Sequence, residues 1–131
     1  MEHKGTVLVI DDEQGFCELL QSVLEREGFH VVTTTDPERC IDLVDEKNVD
    51  LVFLDYKMPG CDGITLLKRL KEHDENVVVI MITAYGSIET AVEAMKYGAY
   101  DFITKPFQKD ELVRLTQKAW DKRKLMLGCL I

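Results

Sequence analysis

Five short runs of apolar, largely β-branched residues recur along the chain, each separated from the next by a stretch with helical spacing. The runs are Thr6-Val7-Leu8-Val9-Ile10, Val31-Val32-Thr33-Thr34, Leu51-Val52-Phe53-Leu54, Val77-Val78-Val79-Ile80-Met81-Ile82 and Tyr100-Asp101-Phe102-Ile103. Several are apolar at every position rather than at every second one. Strands of that kind are covered on both faces, as in a parallel sheet enclosed by helices. The fifth run is shorter and more polar, which suits an edge.

Between the runs, apolar residues fall at helical intervals. Phe16, Leu19, Leu20, Val23 and Leu24 form one stripe, and Gly28 supplies a stop. Asp36-Pro37 offers an N-cap and a first-turn proline for a second helix that buries Cys40, Ile41 and Val44. Ile64, Leu67 and Leu70 mark a third. Ser87 is placed to cap a fourth, with Ile88, Ala91, Val92 and Met95 on one face and Gly98 after its end. A fifth begins near Asp110 and turns Leu112, Leu115 and Ala119 inward. Lys118, Lys122, Arg123 and Lys124 lie toward its C-terminal end, where cations complement the helix dipole. Five βα units with short connections predict an α/β fold with one parallel sheet and helices on both faces. A single domain is expected over residues 1–124. The apolar stretch 125–131 reads as a tail that packs back on the fold or as the start of a linker to something further.

Charge narrows the partners. Sixteen basic against 24 acidic side chains leave a net charge of −8. Such a field repels phosphate backbones, and no basic stripe or cluster of stacking aromatics offsets it, so direct nucleic-acid binding is not expected. Cys17, Cys40, Cys61 and Cys129 are scattered, without a C-x-x-C pair or a nearby histidine to complete a zinc site. Free thiols and a cytoplasmic location are the expectation. No apolar run approaches the ~20 residues that span a bilayer, so no membrane association is expected.

The chemistry is sought at the carboxyl ends of the strands, where open α/β sheets bind their ligands. Strand one ends in Asp11-Asp12-Glu13, strand three in Asp55, strand four in Thr83-Ala84 and strand five in Thr104-Lys105-Pro106. Taken singly, these residues suit helix caps, local turns and a solvated amine. Taken together, Asp11, Asp12, Asp55, Thr83 and Lys105 set three carboxylates, a hydroxyl and an ammonium on one rim. Two like charges ~4 Å apart repel by about 4 kcal/mol at an effective dielectric near 20. A cluster of three therefore calls for a cation, and Mg²⁺ (or a related ion such as Mn²⁺) favours such a mixture of carboxylate, carbonyl and phosphate oxygens.

The blocks Val7-Leu8-Val9-Ile10-Asp11-Asp12-Glu13, Leu54-Asp55-Tyr56-Lys57-Met58-Pro59-Gly60, Ile82-Thr83-Ala84 and Asp101-Phe102-Ile103-Thr104-Lys105-Pro106-Phe107 resemble the signature blocks of response-regulator receiver domains, in order and spacing, over about residues 6–120. The resemblance implies a flavodoxin-like, doubly wound sheet of five parallel strands in the order 2-1-3-4-5. It implies that Asp55 accepts a phosphoryl group from a histidine kinase or phosphotransfer protein. Asp12, Asp55 and the backbone carbonyl of Lys57 would ligate the metal, with Asp11 acting through water. Lys105 would pair with the phosphoryl oxygens, Thr83 would bind one of them after transfer, and Phe102 would be the aromatic that swings inward in response. The Lys105-Pro106 bond is expected to be cis. Lys57 and Tyr85, two residues beyond Asp55 and Thr83, would adjust access of hydrolytic water. Gly60 and Gly63 are expected to relax the loop after Asp55, and Met58 to serve packing.

Rival chemistries fit less well. A haloacid-dehalogenase-like phosphatase needs an acid/base Asp two residues after its nucleophile, where this chain has Lys57. A flavin-binding module needs a Ser/Thr/Gly-rich phosphate loop after strand one, where Asp11-Asp12-Glu13 would repel the phosphate. The expectation is a regulatory phosphoacceptor rather than an enzyme, with a readout surface on the fourth helix, fifth strand and fifth helix. It would govern a transcriptional output domain, and homodimerisation on phosphorylation is expected there or through the last helix. The alternative is a stand-alone phosphorelay shuttle or diffusible binding module.

Overall fold

All five runs pair side by side in a single parallel sheet. The computed structural model describes residues 4–84 and 88–127. Its strands are β1 (Thr6–Ile10), β2 (His30–Thr34), β3 (Leu51–Asp55), β4 (Val78–Thr83) and β5 (Asp101–Thr104). Their order is 2-1-3-4-5, with every neighbouring pair parallel. The order reverses between β1 and β3, which places the ends of those two strands beside each other at the switch point. β5 forms one edge, as its polarity suggests.

Alternate strand residues feed two apolar layers. On one side, Leu8, Ile10, Val52, Leu54, Val79 and Met81 meet α2 (Cys40–Glu46), α3 (Gly63–His73) and α4 (Ile88–Lys96). On the other, Val7, Val9, Leu51, Phe53, Ile80 and Ile82 meet α1 (Gln14–Arg26) and α5 (Lys109–Met126). The strands of the sheet's centre are buried at every position, the result of covering both faces.

Side-chain caps open two of the helical segments. The Asp36 carboxylate caps the turn Pro37–Arg39 by accepting from the Glu38 N–H at 3.0 Å, and α2 follows directly. Asp62 caps α3 in the same way, accepting from the Ile64 N–H at 3.1 Å. Cys17, Cys40 and Cys61 carry no disulfide, and burial pushes the Cys17 and Cys40 thiols up to about 11 and about 12. The expected Ser87 cap, Tyr85 and Cys129 lie outside the described residues.

The structure supplies the side-chain directions that spacing leaves open. Leu19 is exposed on α1, and Cys17 takes the inward place beside Leu20 and Leu24. The stripe on α4 faces outward: Ile88 is 84% exposed, Val92 61% and Met95 48%, while Ala94 is the residue that packs inward. Arg123 is not a solvated helix-end cation. Its Nε donates to Asp50 Oδ1 at 3.0 Å and its guanidinium to the Asn76 carbonyl at 2.7 Å, which ties the foot of α5 to the amino-terminal edge of the sheet. Asp50 also accepts from the Thr6 N–H, so both of its oxygens are engaged. The last helix runs on through Leu125 and Met126, two residues past the expected domain boundary.

Candidate functional site

β1 and β3 end together at the switch point, and their terminal carboxylates converge. Asp11, Asp12 and Asp55 each place an oxygen so that all three lie within 4.8 Å of one another. Asp11 and Asp55 are buried and Asp12 is exposed, so the cluster is open on one side. A donor set of hard oxygens in that spacing fits a small divalent cation. Burial, followed by the charge of Asp11, pushes the Asp55 carboxyl up to about 6 in the metal-free protein. Lys105 pulls the other way, as does the N–H of Lys57, which donates to Asp55 Oδ1 at 3.2 Å.

The loop after Asp55 is held by backbone contacts. Lys57–Met58 and Cys61–Asp62 pair as a two-residue antiparallel ribbon, turned by Pro59 and Gly60 with Gly60 at φ +73°. Met58 is buried, in keeping with a packing role. Gly63 acts differently from the expected loosening of the loop. A Cβ there would lie 2.5 Å from the Tyr56 carbonyl oxygen and 2.6 Å from that of Asp55, and its N–H donates to Tyr56 at 2.9 Å. Close approach of α3 to the end of β3 therefore requires glycine at this position.

On the opposite side of the carboxylates stand the ends of β4 and β5. Thr83 is fully buried at the last position of β4. The Lys105 N–H donates to the Thr83 carbonyl at 2.8 Å, which couples the two strand ends through the backbone. The Lys105-Pro106 peptide is cis. The Lys105 ammonium lies 2.7 Å from Asp11 Oδ2 and 3.6 Å from Glu13 Oε1. Burial alone would lower its pKa, but the hydrogen bond and charge of Asp11, with the charges of Asp55 and Glu13, outweigh burial and hold it above the ordinary lysine value. Phe102 lies on β5, half-buried against the layer that holds α3 and α4.

The structure thus brings Asp11, Asp12, Asp55, Thr83 and Lys105 to one rim, with the Lys57 backbone beside Asp55. Two contacts escape a reading of the sequence. Glu13 shares the Lys105 ammonium with Asp11, and the Phe16 ring lies beneath that ammonium, its centroid 3.9 Å from Nζ. Helical spacing marks Phe16 only as one member of an apolar stripe.

Comparison with known proteins agrees with this geometry. A family model described as the response regulator receiver domain matches residues 7–117. Sporulation initiation phosphotransferase F of Bacillus subtilis is 41% identical over 106 residues, which cover 81% of this chain and 86% of that protein. The nitrogen assimilation regulatory protein NtrX of Azorhizobium caulinodans is 40% identical over 121 residues, covering 91% of this chain and 27% of the relative. The crystal structure of NtrX from Brucella abortus in complex with ADP superposes with a TM-score of 0.89 at 36% identity, over 98% of this chain and 29% of that one. The chain therefore spans most of the first relative and only about a quarter of the larger regulators.

Proposed function

The chain belongs to the response regulator receiver domain family, and from that premise we propose that it is a phosphorylation-driven switch in which Asp55 is the acceptor. One observation carries the reading. Asp55 shares a pocket with two further carboxylates, all within 4.8 Å, while a lysine ammonium and a buried threonine stand at the neighbouring strand ends.

Asp11, Asp12 and Asp55, with the backbone carbonyl of Lys57, would hold Mg²⁺ or Mn²⁺. When bound, the ion supplies charge neutralisation for the transferring phosphoryl oxygens. The Asp55 carboxylate oxygen attacks phosphorus, the P–N bond of the donor's phosphohistidine breaks, and the imidazole nitrogen leaves with the bonding pair. Lys105 contributes a fixed cation on the far side of the pocket. The resulting acyl phosphate adds nearly two negative charges and three strong acceptors at one spot. Thr83 Oγ1 and Lys105 Nζ are the donors placed to follow that charge. Because their backbones are hydrogen-bonded to each other, the ends of β4 and β5 respond together.

The readout follows from what those strands carry. Phe102 lies on β5, and the outward stripe Ile88, Val92 and Met95 lies on the helix after β4. An apolar strip of that kind suits a partner surface whose fit changes with the position of α4. The partners we assign are a histidine kinase or phosphotransfer protein as donor, and an output domain or a second copy of the chain as receiver of the signal. The chain's own role is regulatory, in a cytoplasmic two-component system. Among the described residues, no helix is long and apolar enough to cross a membrane.

The test uses Mg²⁺ and the small donor phosphoramidate. The expected result is a base-labile gain of one phosphoryl mass that is lost in Asp55→Asn; equal labelling of the variant would overturn the assignment. Light scattering with and without a phosphoryl mimic addresses the second copy, and a mass unchanged by the mimic would count against it.

A further inference from the structure

The surroundings of the Lys105 ammonium are not all carboxylate. Its ammonium is bounded by Asp11 Oδ2 at 2.7 Å, by Glu13 Oε1 at 3.6 Å and by the face of Phe16 at 3.9 Å from the ring centroid. Phe16 is itself braced. The Phe107 ring meets it edge-on, with centroids 5.9 Å apart and planes at 80°. The two aromatics come from opposite ends of the chain: Phe16 from the first turn of α1, and Phe107 from the segment just after Lys105 and Pro106. The ammonium stands over the face of the braced ring, and the lysine side chain is only 16% exposed.

A ring face attracts a cation most when water is partly excluded, and an aliphatic side chain of similar size fills the same space without that attraction. The difference matters because lysine is a point charge on a flexible four-carbon stem with large rotamer freedom. Asp11 cannot supply the restraint in every state. A carboxylate that shares its charge with a divalent ion holds an ammonium less strongly, whereas a neutral ring is indifferent to the ion. A neutral ring also releases the ammonium readily to a dianionic phosphoryl group.

We propose that Phe16 is a positioning residue for phosphoryl transfer: its ring, braced by Phe107, keeps the Lys105 ammonium at the rim of the pocket, ready for the phosphoryl oxygens. The inference rests on the role given to Lys105 above. No new chemical step is involved. The Asp55 oxygen–phosphorus bond forms, the P–N bond of zwitterionic phosphoramidate breaks, its –NH3+ nitrogen leaves with the bonding pair as ammonia, and Lys105 keeps its protons throughout.

The experiment measures the maximal rate of phosphorylation by phosphoramidate at saturating Mg²⁺ in the parent, Phe16→Leu, Lys105→Gln and the double variant. Phe16→Leu should slow the parent about 3- to 10-fold, the loss of one partly desolvated cation–π contact. It should leave the half-saturating Mg²⁺ concentration within about twofold, and it should have no further effect in the Lys105→Gln background. Progressive fluorination of the Phe16 ring, which drains its face of negative charge while preserving shape, should slow the reaction in step. This series also serves if Phe16→Leu folds poorly, and Phe16→Trp should retain the parent rate. An unchanged rate in Phe16→Leu, an equal loss with and without Lys105, or indifference to fluorination would each overturn the proposal while leaving Asp55 as acceptor. A parent that takes up no phosphoryl group on Asp55 would instead remove the reading of the site, and this proposal with it.

Discussion

α3 and α4 flank the same rim yet are anchored very differently. From eleven residues, α3 buries Gly63, Ile64, Leu66, Leu67 and Leu70, and its first residue touches the carbonyls of Tyr56 and Asp55. From nine, α4 buries Ala94 and turns Ile88, Val92 and Met95 to solvent. One helix is part of the wall that fixes the Asp55 loop. The other rests on the sheet through a small contact and follows the strand that ends in Thr83. Local stability tracks buried apolar contact, so the helix beside Asp55 is the more firmly held and the helix after Thr83 the less.

The sharpest way to break that contrast is to empty a position in each helix. Leu67→Ala should cost about 2–5 kcal/mol, because the leucine is fully buried and the cavity cannot collapse freely. A loss below about 1 kcal/mol in urea unfolding would show that α3 is not the anchored helix. Gly63→Ala comes next, at about 1–3 kcal/mol, since the added Cβ would meet two backbone oxygens. Unlike Leu67→Ala, it should also slow phosphorylation of whatever fraction folds, because the strain falls on the Asp55 loop.

A smaller effect concerns the acid cluster itself. The Asp55 pKa rises from an ordinary 3.8 to about 6 on folding, so between those values the folded chain keeps a proton that the unfolded chain has lost. Without metal, this group's contribution to stability is therefore greatest below pH ~4, falls as pH rises, and is at its lowest above pH ~6. Asp55→Asn should remove that slope and stabilise the metal-free protein at pH 7 by about 1–2 kcal/mol, allowing for solvent at the open side of the pocket. Chemical denaturation at pH 4, 5, 6 and 7 in a chelator checks it, and a parent that gains stability across that range would reverse the sign. The smallest effect belongs to α4. Val92→Ala should change unfolding free energy by less than about 0.5 kcal/mol. Hydrogen exchange should nonetheless run faster in α4 than in α3, and equal protection would erase the distinction.

Much of this was legible in the sequence, for physical reasons that can be named. Continuous apolar runs such as Val78–Thr83 leave little choice but a strand covered on both faces, and strand ends are where an α/β sheet presents its chemistry. Asp11, Asp12, Asp55, Thr83 and Lys105 could therefore be found from position and residue type. Direction was less legible. The spacing of Ile88, Val92 and Met95 shows that α4 has an apolar stripe, but periodicity does not say whether the sheet or solvent lies in front of it. Arg123 read as one more cation at a helix end, because its acceptors, Asp50 and Asn76, are 73 and 47 residues away in the chain. The tightness around Gly63 and the ring beneath Lys105 are also long-range facts. No local pattern encodes the clearance to a carbonyl or the approach of an ammonium to a ring face.

The Arg123–Asp50 pair has a mechanical consequence. α5 has 18 residues and thus a length of about 27 Å. Its foot is pinned to the edge of the sheet remote from the pocket, while its head follows the Lys105 segment. With Arg123 acting as a fulcrum, about 21 Å from the helix start, a displacement of about 1 Å at the head becomes a tilt of roughly 3°. The helix then works as a lever that turns a small translation at the rim into a change of angle. Whatever follows or packs on its far end would feel that angle as a change in heading.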